Sequence, residues 1–376
     1  MITWLRLFLQ VLASLKITVL GLVLLLILTV WGTLYQADHG LYEAQERFYQ
    51  SWVFRTGPVP LPGAQSVMVL LFVNLAASLL HLTLQRRLRL GFLATHAGLA
   101  LMLAAGGITF YFGRSAHLTL EEGQGSNVAL SDQDWELALM PGRDGERRLV
   151  NALDARRLRP GRRFEMPGGE LSLLVEEYHR NCTAERREEV AAPHNAGGYT
   201  RLEGRPPSRE PGQDRPGAVL VIERSGTRVG RVLLWGGDRA PTPLPGATEP
   251  LVMGLRRLRL PLPATIELVD FRRDLHPGTS MARSYASQVM LRSGVDSERK
   301  VLISMNKPLR LQGFTFYQSS FANTPGGREV STLAVVRNQG RLLPYVATGL
   351  TGLGMLLHFS GLLLVRARAR TAGGRS

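Results

Sequence analysis

Arg86-Arg87-Leu88-Arg89-Leu90-Gly91-Phe92-Leu93-Ala94-Thr95-His96, running on as Ala-Gly-Leu-Ala-Leu-Met-Leu-Ala-Ala-Gly-Gly-Ile-Thr-Phe-Tyr-Phe to Gly113, decides the fold. Leu90 to Gly113 are 24 residues without Asp, Glu, Lys or Arg, directly after a basic cluster. At about 1.5 Å per residue, such a helix crosses a hydrocarbon layer of about 30 Å. Short Lys/Arg-rich loops stay cytoplasmic, so the helix is expected to enter from the cytoplasm and to leave near Arg114. Its first third carries one ionisable residue, His96. Two readings stand for it: an imidazole kept for a site, since a polar ring is costly in a membrane without a partner, or a bundle histidine satisfied by a neighbouring hydroxyl or carbonyl.

Working outward, residues 1–16 place Leu5, Phe8, Leu9, Leu12 and Leu15 at helical spacing and are expected to lie as an amphipathic helix at the inner interface. Residues 17–37 are an uncharged run long enough to span. A cleaved signal peptide fits less well, because the apolar run is too long and Tyr35-Gln36-Ala37-Asp38 offers no small-x-small cleavage site. Residues 38–63 are expected to form a short outer interfacial helix through Leu41, Phe48, Tyr49, Trp52 and Val53, ended by Pro58, Pro60 and Pro62. A second span, 64–85, returns to the cytoplasmic loop 86–89; the third is 90–113; the fourth is 342–365, followed by a basic cytoplasmic tail, 366–376.

The 228 residues from 114 to 341 are polar on average but carry nine short alternating or β-branched runs divided by Gly, Pro, Asp and Asn. They are 117–120, 170–175, 217–222, 229–235, 265–269, 287–291, 300–303, 314–317 and 331–336. This pattern predicts antiparallel β structure, a sandwich or an open barrel. Residues 192–216, rich in Gly, Pro, Arg and Glu, are read as a mobile insertion. The expected fold is thus a mixed membrane protein: four transmembrane helices, with a large extracytoplasmic antiparallel β-rich domain between the third and the fourth.

The charges agree at every crossing: both termini and the 86–89 loop fall inside, and the β-rich domain outside. A net charge of +15 suggests nucleic acid in a soluble chain, but much of the excess flanks membrane spans, and the central arginines lack interleaved aromatic residues. Cys182 is the sole cysteine, which excludes an internal disulfide, a CxxC redox pair, a cysteine metal cluster and a CxxCH haem attachment. The sequence has no P-loop, Rossmann glycine pattern, HExxH or nucleophile elbow. Gly168-Gly169-Glu170 lacks the context of a phosphate loop, and Gly106-Gly107 is expected to allow close helix packing.

Three histidines are the remaining candidates. His81 lies five residues from Arg86, His96 seven from Arg89 and His358 eight from Arg366. All three therefore sit roughly 7–12 Å above the inner basic boundary. Imidazole pairs across a helical bundle can ligate haem iron; chance and interfacial preference give the same depths, and depth alone does not separate the two.

Several stretches resemble the ResB family of cytochrome c biogenesis proteins. These are Leu12-Ala-Ser-Leu-Lys-Ile-Thr18 with Trp31-Gly-Thr-Leu34, and His96-Ala-Gly98 with Gly107, Gly113 and Leu118-Thr-Leu-Glu-Glu-Gly123. Val269-Asp-Phe271, Pro277-Gly278, Ile303-Ser-Met-Asn306-Lys-Pro308-Leu309 and Gly313-Phe-Thr-Phe-Tyr317-Gln318-Ser-Ser320 complete the likeness, while residues 130–260 match poorly. The resemblance implies a role in System II maturation. There haem crosses the inner membrane, with a CcsA-type partner, and is attached to the CxxCH thiols of apocytochrome c. It implies a co-catalytic subunit of a synthase, with haem b held transiently and shared with the partner. His96 is the position onto which the family's intramembrane histidine carries; His358 and His81 are weaker candidates. Asn306, Pro308, Gly313, Tyr317 and Gln318 are expected to be architectural, Tyr317 as a packed aromatic. Rival readings are a membrane-bound bis-histidine haem quinol oxidoreductase and a periplasmic ligand receptor.

Overall fold

The computed structural model describes residues 2–84, 90–141, 151–166, 169–186, 199–238, 241–245, 247, 251–279, 282–294, 297–323 and 328–373. The chain divides into a helical unit, Met1–Arg114 with Arg337–Ser376, and a β unit, Ser115–Val336.

The helical unit contains α1 (Ile2–Leu12), α2 (Leu15–His39), α3 (Leu41–Ala44), the hairpin β1 (Val53–Thr56) and β2 (Val59–Pro62), α4 (Ala64–Leu84), α5 (Leu90–Phe112) and α6 (Leu343–Gly373). Four of its helices are long and apolar enough to cross a membrane, as expected of a multi-pass membrane protein. α1 is separated from α2 at Ala13-Ser14. The 86–89 loop lies outside the described residues.

The segment 38–63 departs from the expected helix. After α3 comes a π-helical turn, Gln45–Tyr49, and then the hairpin, in which Val53 pairs with Pro62 and Arg55 with Pro60. Proline lacks a ladder donor, but a two-stranded ribbon has an outer side on each strand, and there it is tolerated. Phe48 and Phe54 turn inward against Trp31 and Tyr35, with ring centroids 4.9–5.7 Å apart. These aromatic contacts, more than helical periodicity, fix the segment.

Helices α5 and α6 meet backbone to backbone. A Cβ on Gly98 would lie 2.7 Å from Thr351 N and 2.8 Å from Ala347 O, and one on Gly91 would lie 2.8 Å from His358 Cα. Gly91, Gly98 and the fully buried Ala105 recur every seven residues and so share one face. The close approach therefore belongs to Gly91 and Gly98. A Cβ on Gly106 or Gly107 would meet nothing within 4 Å, which corrects the expectation for that pair.

The β unit comprises β3 (Arg114–Glu121), β4 (Gly125–Pro141), β5 (Asn151–Asp154), β6 (Arg163–Glu165), β7 (Leu171–His179), β8 (Cys182–Arg186), β9 (Tyr199–Gly204), β10 (Gly217–Arg224), β11 (Thr227–Trp235), β12 (Thr242–Pro243), β13 (Leu251–Leu275), β14 (Ala282–Ser293), β15 (Ser297–Ser304), β16 (Leu309–Leu311), β17 (Phe314–Asn323) and β18 (Glu329–Arg337). Eight of the nine expected runs fall within strands, and the ninth, 170–175, begins one residue before β7. The largest sheet runs β15-β14-β13-β4-β3-β18-β17-β16, with β5 and β12 on its flank, and curls until parts of β15 and β17 come within 8 Å. Its interior holds Leu118, Ile266, Val289, Ile303, Phe316 and Val335. A four-stranded sheet, β11-β10-β7-β6, packs over the far halves of β4 and β13 around Leu220, Ile222, Leu234, Met253 and Leu255. The expected choice of sandwich or open barrel thus resolves into an incompletely closed barrel sharing two long strands with a second layer.

The insertion read at 192–216 is only in part what composition suggested. Residues 187–198 lie outside the described set, but Tyr199–Gly204 pairs antiparallel with Cys182–Arg186 and buries Leu202 against Cys182 and Val219. Asp214 is buried, and its Oδ1 accepts from the Ser208 N–H. A short hairpin docked by one leucine has too little apolar content to register as a strand in sequence.

We expect Gly98→Val to destabilise the helical unit by about 1–3 kcal/mol through overpacking at the α5–α6 contact. Gly106→Ala, into open space, should leave thermal stability in detergent unchanged or slightly raised. Equal melting temperatures for the two variants would contradict this helix contact.

Candidate functional site

The helical unit holds a cavity of about 630 Å³ whose lining includes Thr18, Asn74, Ser78, His81, Phe92 and His96, with leucines and Met102 completing the wall. It lies where the chain breaks between α1 and α2. The carbonyls exposed by that break are met from α4: Asn74 Nδ2 donates to Leu12 O at 2.6 Å, and Ser78 Oγ reaches toward Ala13 O. Ser14 O, which accepts from Ile17 N–H, takes a second contact from Asn74 Nδ2 at 3.1 Å. Thr18 Oγ1 donates to Asn74 Oδ1 at 2.7 Å, so Asn74 is engaged at both ends and is 4% exposed. Unmet carbonyls in hydrocarbon cost several kcal/mol each, and one amide removes that cost here.

His96 is half-buried, its ring stacked on Phe92 at 3.7 Å between centroids. Its Nδ1 lies 2.9 Å from Phe92 O. A carbonyl oxygen only accepts, so Nδ1 carries the proton and the neutral ring has its lone pair on Nε2. Stacking and this bond hold one tautomer in one orientation, the state a metal-ligating imidazole needs. His81 lines the same cavity from α4. His358 does not: its backbone packs on Gly91, and its ring makes an edge contact with Phe359 at 5.5 Å. Gly91 and Gly98 mark the side of α5 that meets α6, and His96 is on the side that lines the cavity. The structure thus brings His81 and His96 together and leaves His358 apart. Among the described residues, no group of three or more His, Cys, Asp or Glu side chains converges as a metal cluster.

The 303–320 signature sits in the β unit. Ser304 and Lys307 exchange backbone hydrogen bonds around exposed Asn306, and Pro308 leads into β16. Gln312 and Gly313, with φ of +43° and +84°, form the two-residue turn between β16 and β17, where glycine accepts the left-handed backbone at no steric cost. Gln318 is buried: its Oε1 accepts from Ser287 Oγ at 2.6 Å and its Nε2 donates to Ser331 Oγ at 3.1 Å. That polar triad ties β14, β17 and β18 across the barrel interior. Tyr317 is corrected. Strand alternation sends it outward, 41% exposed, and Phe316 is the fully buried aromatic.

Cys182 is buried, and burial pushes its thiol up to about 11. Its carbonyl accepts from Trp235 Nε1 at 3.1 Å, so the residue serves the β8–β11 contact. Sequence reasoning missed Asn74, because one asparagine in an apolar span carries no periodic signal. An intramembrane amide was itself the clue.

Residues 228–359 match the ResB-like family. That span contains the 303–320 signature and all of β13–β18, and it ends within α6. The match supports a role in cytochrome c biogenesis. The amino-terminal stretches that resemble the family lie outside it, and no curated protein matches the chain.

Phe316→Ala should cost about 3–5 kcal/mol and reduce folded protein, whereas Tyr317→Ala should cost less than about 1 kcal/mol in the same denaturation assay. At pH 8 about one Cys182 thiol in a thousand is ionised, so maleimide should label the folded protein negligibly. Labelling should rise toward pH 11 or on unfolding; rapid labelling at pH 8 without unfolding would contradict the buried placement.

Proposed function

We propose that this chain, ResB-like over residues 228–359, is a membrane subunit of cytochrome c maturation that receives haem in its helical unit. It works with a CcsA-type partner in the inner membrane. In this reading both termini and the 86–89 loop are cytoplasmic, and the β unit is periplasmic, where apocytochrome c is met. The basic loop and tail support that orientation.

One observation carries the haem assignment: His81 and His96 line one apolar cavity, and His96 is already held as an Nε2 donor. The residues fit the group. The volume of about 630 Å³ falls within the range of about 300–1,000 Å³ usual for cofactor clefts, and leucine is the commonest residue of a mostly apolar wall. Haem, when bound, supplies the group that becomes attached to the apocytochrome thiols. With haem bound, His96, oriented by Phe92, would offer one nitrogen to the iron, and His81 or an imidazole of the partner would offer another. Leucine side chains and Met102 exclude water from the ring, and Asn74 keeps the α1–α2 break closed beside it.

Two histidines in one chain also suit a resident b-type haem, and dependence on the partner distinguishes that reading. In cells that express the partner, haem copurifying with His96→Gly should fall below about a tenth of the wild-type amount, a loss of roughly 1.4 kcal/mol or more. Imidazole in the medium should restore part of it together with cytochrome c assembly. His81→Ala should lower haem and His358→Ala should not, each read by the absorption spectrum of the complex. Full haem content in His96→Gly would sink the assignment; stable haem in the isolated chain, with redox activity, would favour the oxidoreductase.

A further inference from the structure

The largest sheet curls but does not close. Its path ends at β15 on one side and β16 on the other. β16 is short and covers only Phe314–Phe316 of β17, so among the described residues, 317–323 of β17 have no strand partner on that side. β15 ends in a tight turn, Ser304 to Lys307, closed by backbone hydrogen bonds, and among the described residues the rest of the strand pairs with β14 alone.

The turn fixes which backbone groups are open. Ser304 N–H donates to Lys307 O and Lys307 N–H to Ser304 O, so both polar groups of Ser304 point away from β14. The β14–β15 register runs without a bulge, and bonding direction alternates along an antiparallel pair. Leu302, Lys300 and Glu298 therefore also turn their N–H and C=O toward the seam, while Ile303, Val301 and Arg299 bond to β14. An unpaired row of this kind is a template for a further strand.

The surroundings select the occupant. Exposed apolar side chains flank the seam: Leu302 at 54%, Met305 at 50% and Tyr317 at 41%. Arg299, Lys300, Lys307 and Arg310 are exposed around it, while the acid there, Glu298, is paired with Arg292 at 2.8 Å. A second copy of β15 would set like charges against each other, which disfavours self-pairing. An extended segment of opposite charge meets no such penalty.

We propose that the open edge of β15 is a docking site for an extended, acidic segment of another polypeptide, which adds to the sheet by backbone pairing at Glu298, Lys300 and Leu302. Alternate apolar side chains of the segment lie on Leu302, Met305 and Tyr317. In the biogenesis reading this is where an unfolded substrate chain is held, but the site does not depend on haem: a chain that binds none can still add a strand here.

The test uses the full-length protein in detergent, with fluorescence anisotropy of a short labelled peptide of alternating Glu and Val. The same peptide N-methylated at alternate residues and a Lys/Val peptide serve as comparisons. The Glu/Val peptide should bind, the Lys/Val peptide should bind more weakly, and the N-methylated peptide should lose at least about tenfold in affinity, the worth of two or more backbone hydrogen bonds. Leu302→Pro removes one outward N–H without touching a β14 bond and should weaken binding about three- to tenfold; Leu302→Thr keeps the N–H and should weaken it less. Lys300→Glu should reverse the preference between the Glu and Lys peptides. No binding by the wild-type protein, or equal binding of the N-methylated peptide, overturns the proposal. Because this readout contains no haem, it separates failure of the docking site from failure of the haem assignment.

Discussion

Every polar backbone group of a chain segment in hydrocarbon needs a partner, and the helical unit depends on how that rule is met at a single break. Between α1 and α2 the helical ladder lapses at Ala13-Ser14, freeing carbonyls that no water can reach in a membrane. Asn74 meets the Leu12 carbonyl, Ser78 reaches toward that of Ala13, and Asn74 is held in turn by Thr18. This lets α1 turn into α2 without a polar defect, and it leaves a recess beside the turn. The cavity with His81 and His96 is that recess, so the fold's most demanding polar contact and its candidate site are the same piece of structure.

The other wall of the site depends on small residues. Gly91 and Gly98 bring α5 against α6 closely enough that a methyl group would overlap main-chain atoms. Without a hydrophobic drive between helices in lipid, such close packing is what holds two spans together. It also orients α5 about its axis: the glycine face is spent on α6, and the opposite face, with Phe92 and His96, is left for the cavity. His96 then needs no distant partner to be fixed, because the aromatic ring and carbonyl one turn earlier hold it.

In the β unit the long strands β4 and β13 serve two cores, one inside the curled sheet and one under the four-stranded layer. The sheet register between them slips between Arg257 and Arg259, where β13 passes from the second core, at Met253 and Leu255, to the first, at Leu262 and Ile266. The barrel is pinned from within by Ser287, Gln318 and Ser331, a buried network in which each hydroxyl finds a partner. It remains unpaired at one seam, where basic side chains give the edge a charge that discourages aggregation.

The sequence by itself determined the spans, the nine recognised strand runs and the absence of any cysteine pair, because uncharged length, period-two alternation and residue counts are local quantities. It also carried the ResB resemblance, in the turn and strand chemistry of Asn306 to Ser320. Tertiary structure decided what depends on direction. Equal depth along the membrane made His81, His96 and His358 look alike, yet the rotation of each helix put two in one cavity and one elsewhere. Tyr317 and Phe316 are neighbours in an aromatic run, and only the pleat assigns one to solvent and the other to the core. Gly106-Gly107 was the more conspicuous pair, but contact fell to Gly91 and Gly98, whose seven-residue spacing returns to the same face of a helix. Which way a side chain faces is set by partners distant in sequence, and a linear pattern does not contain them.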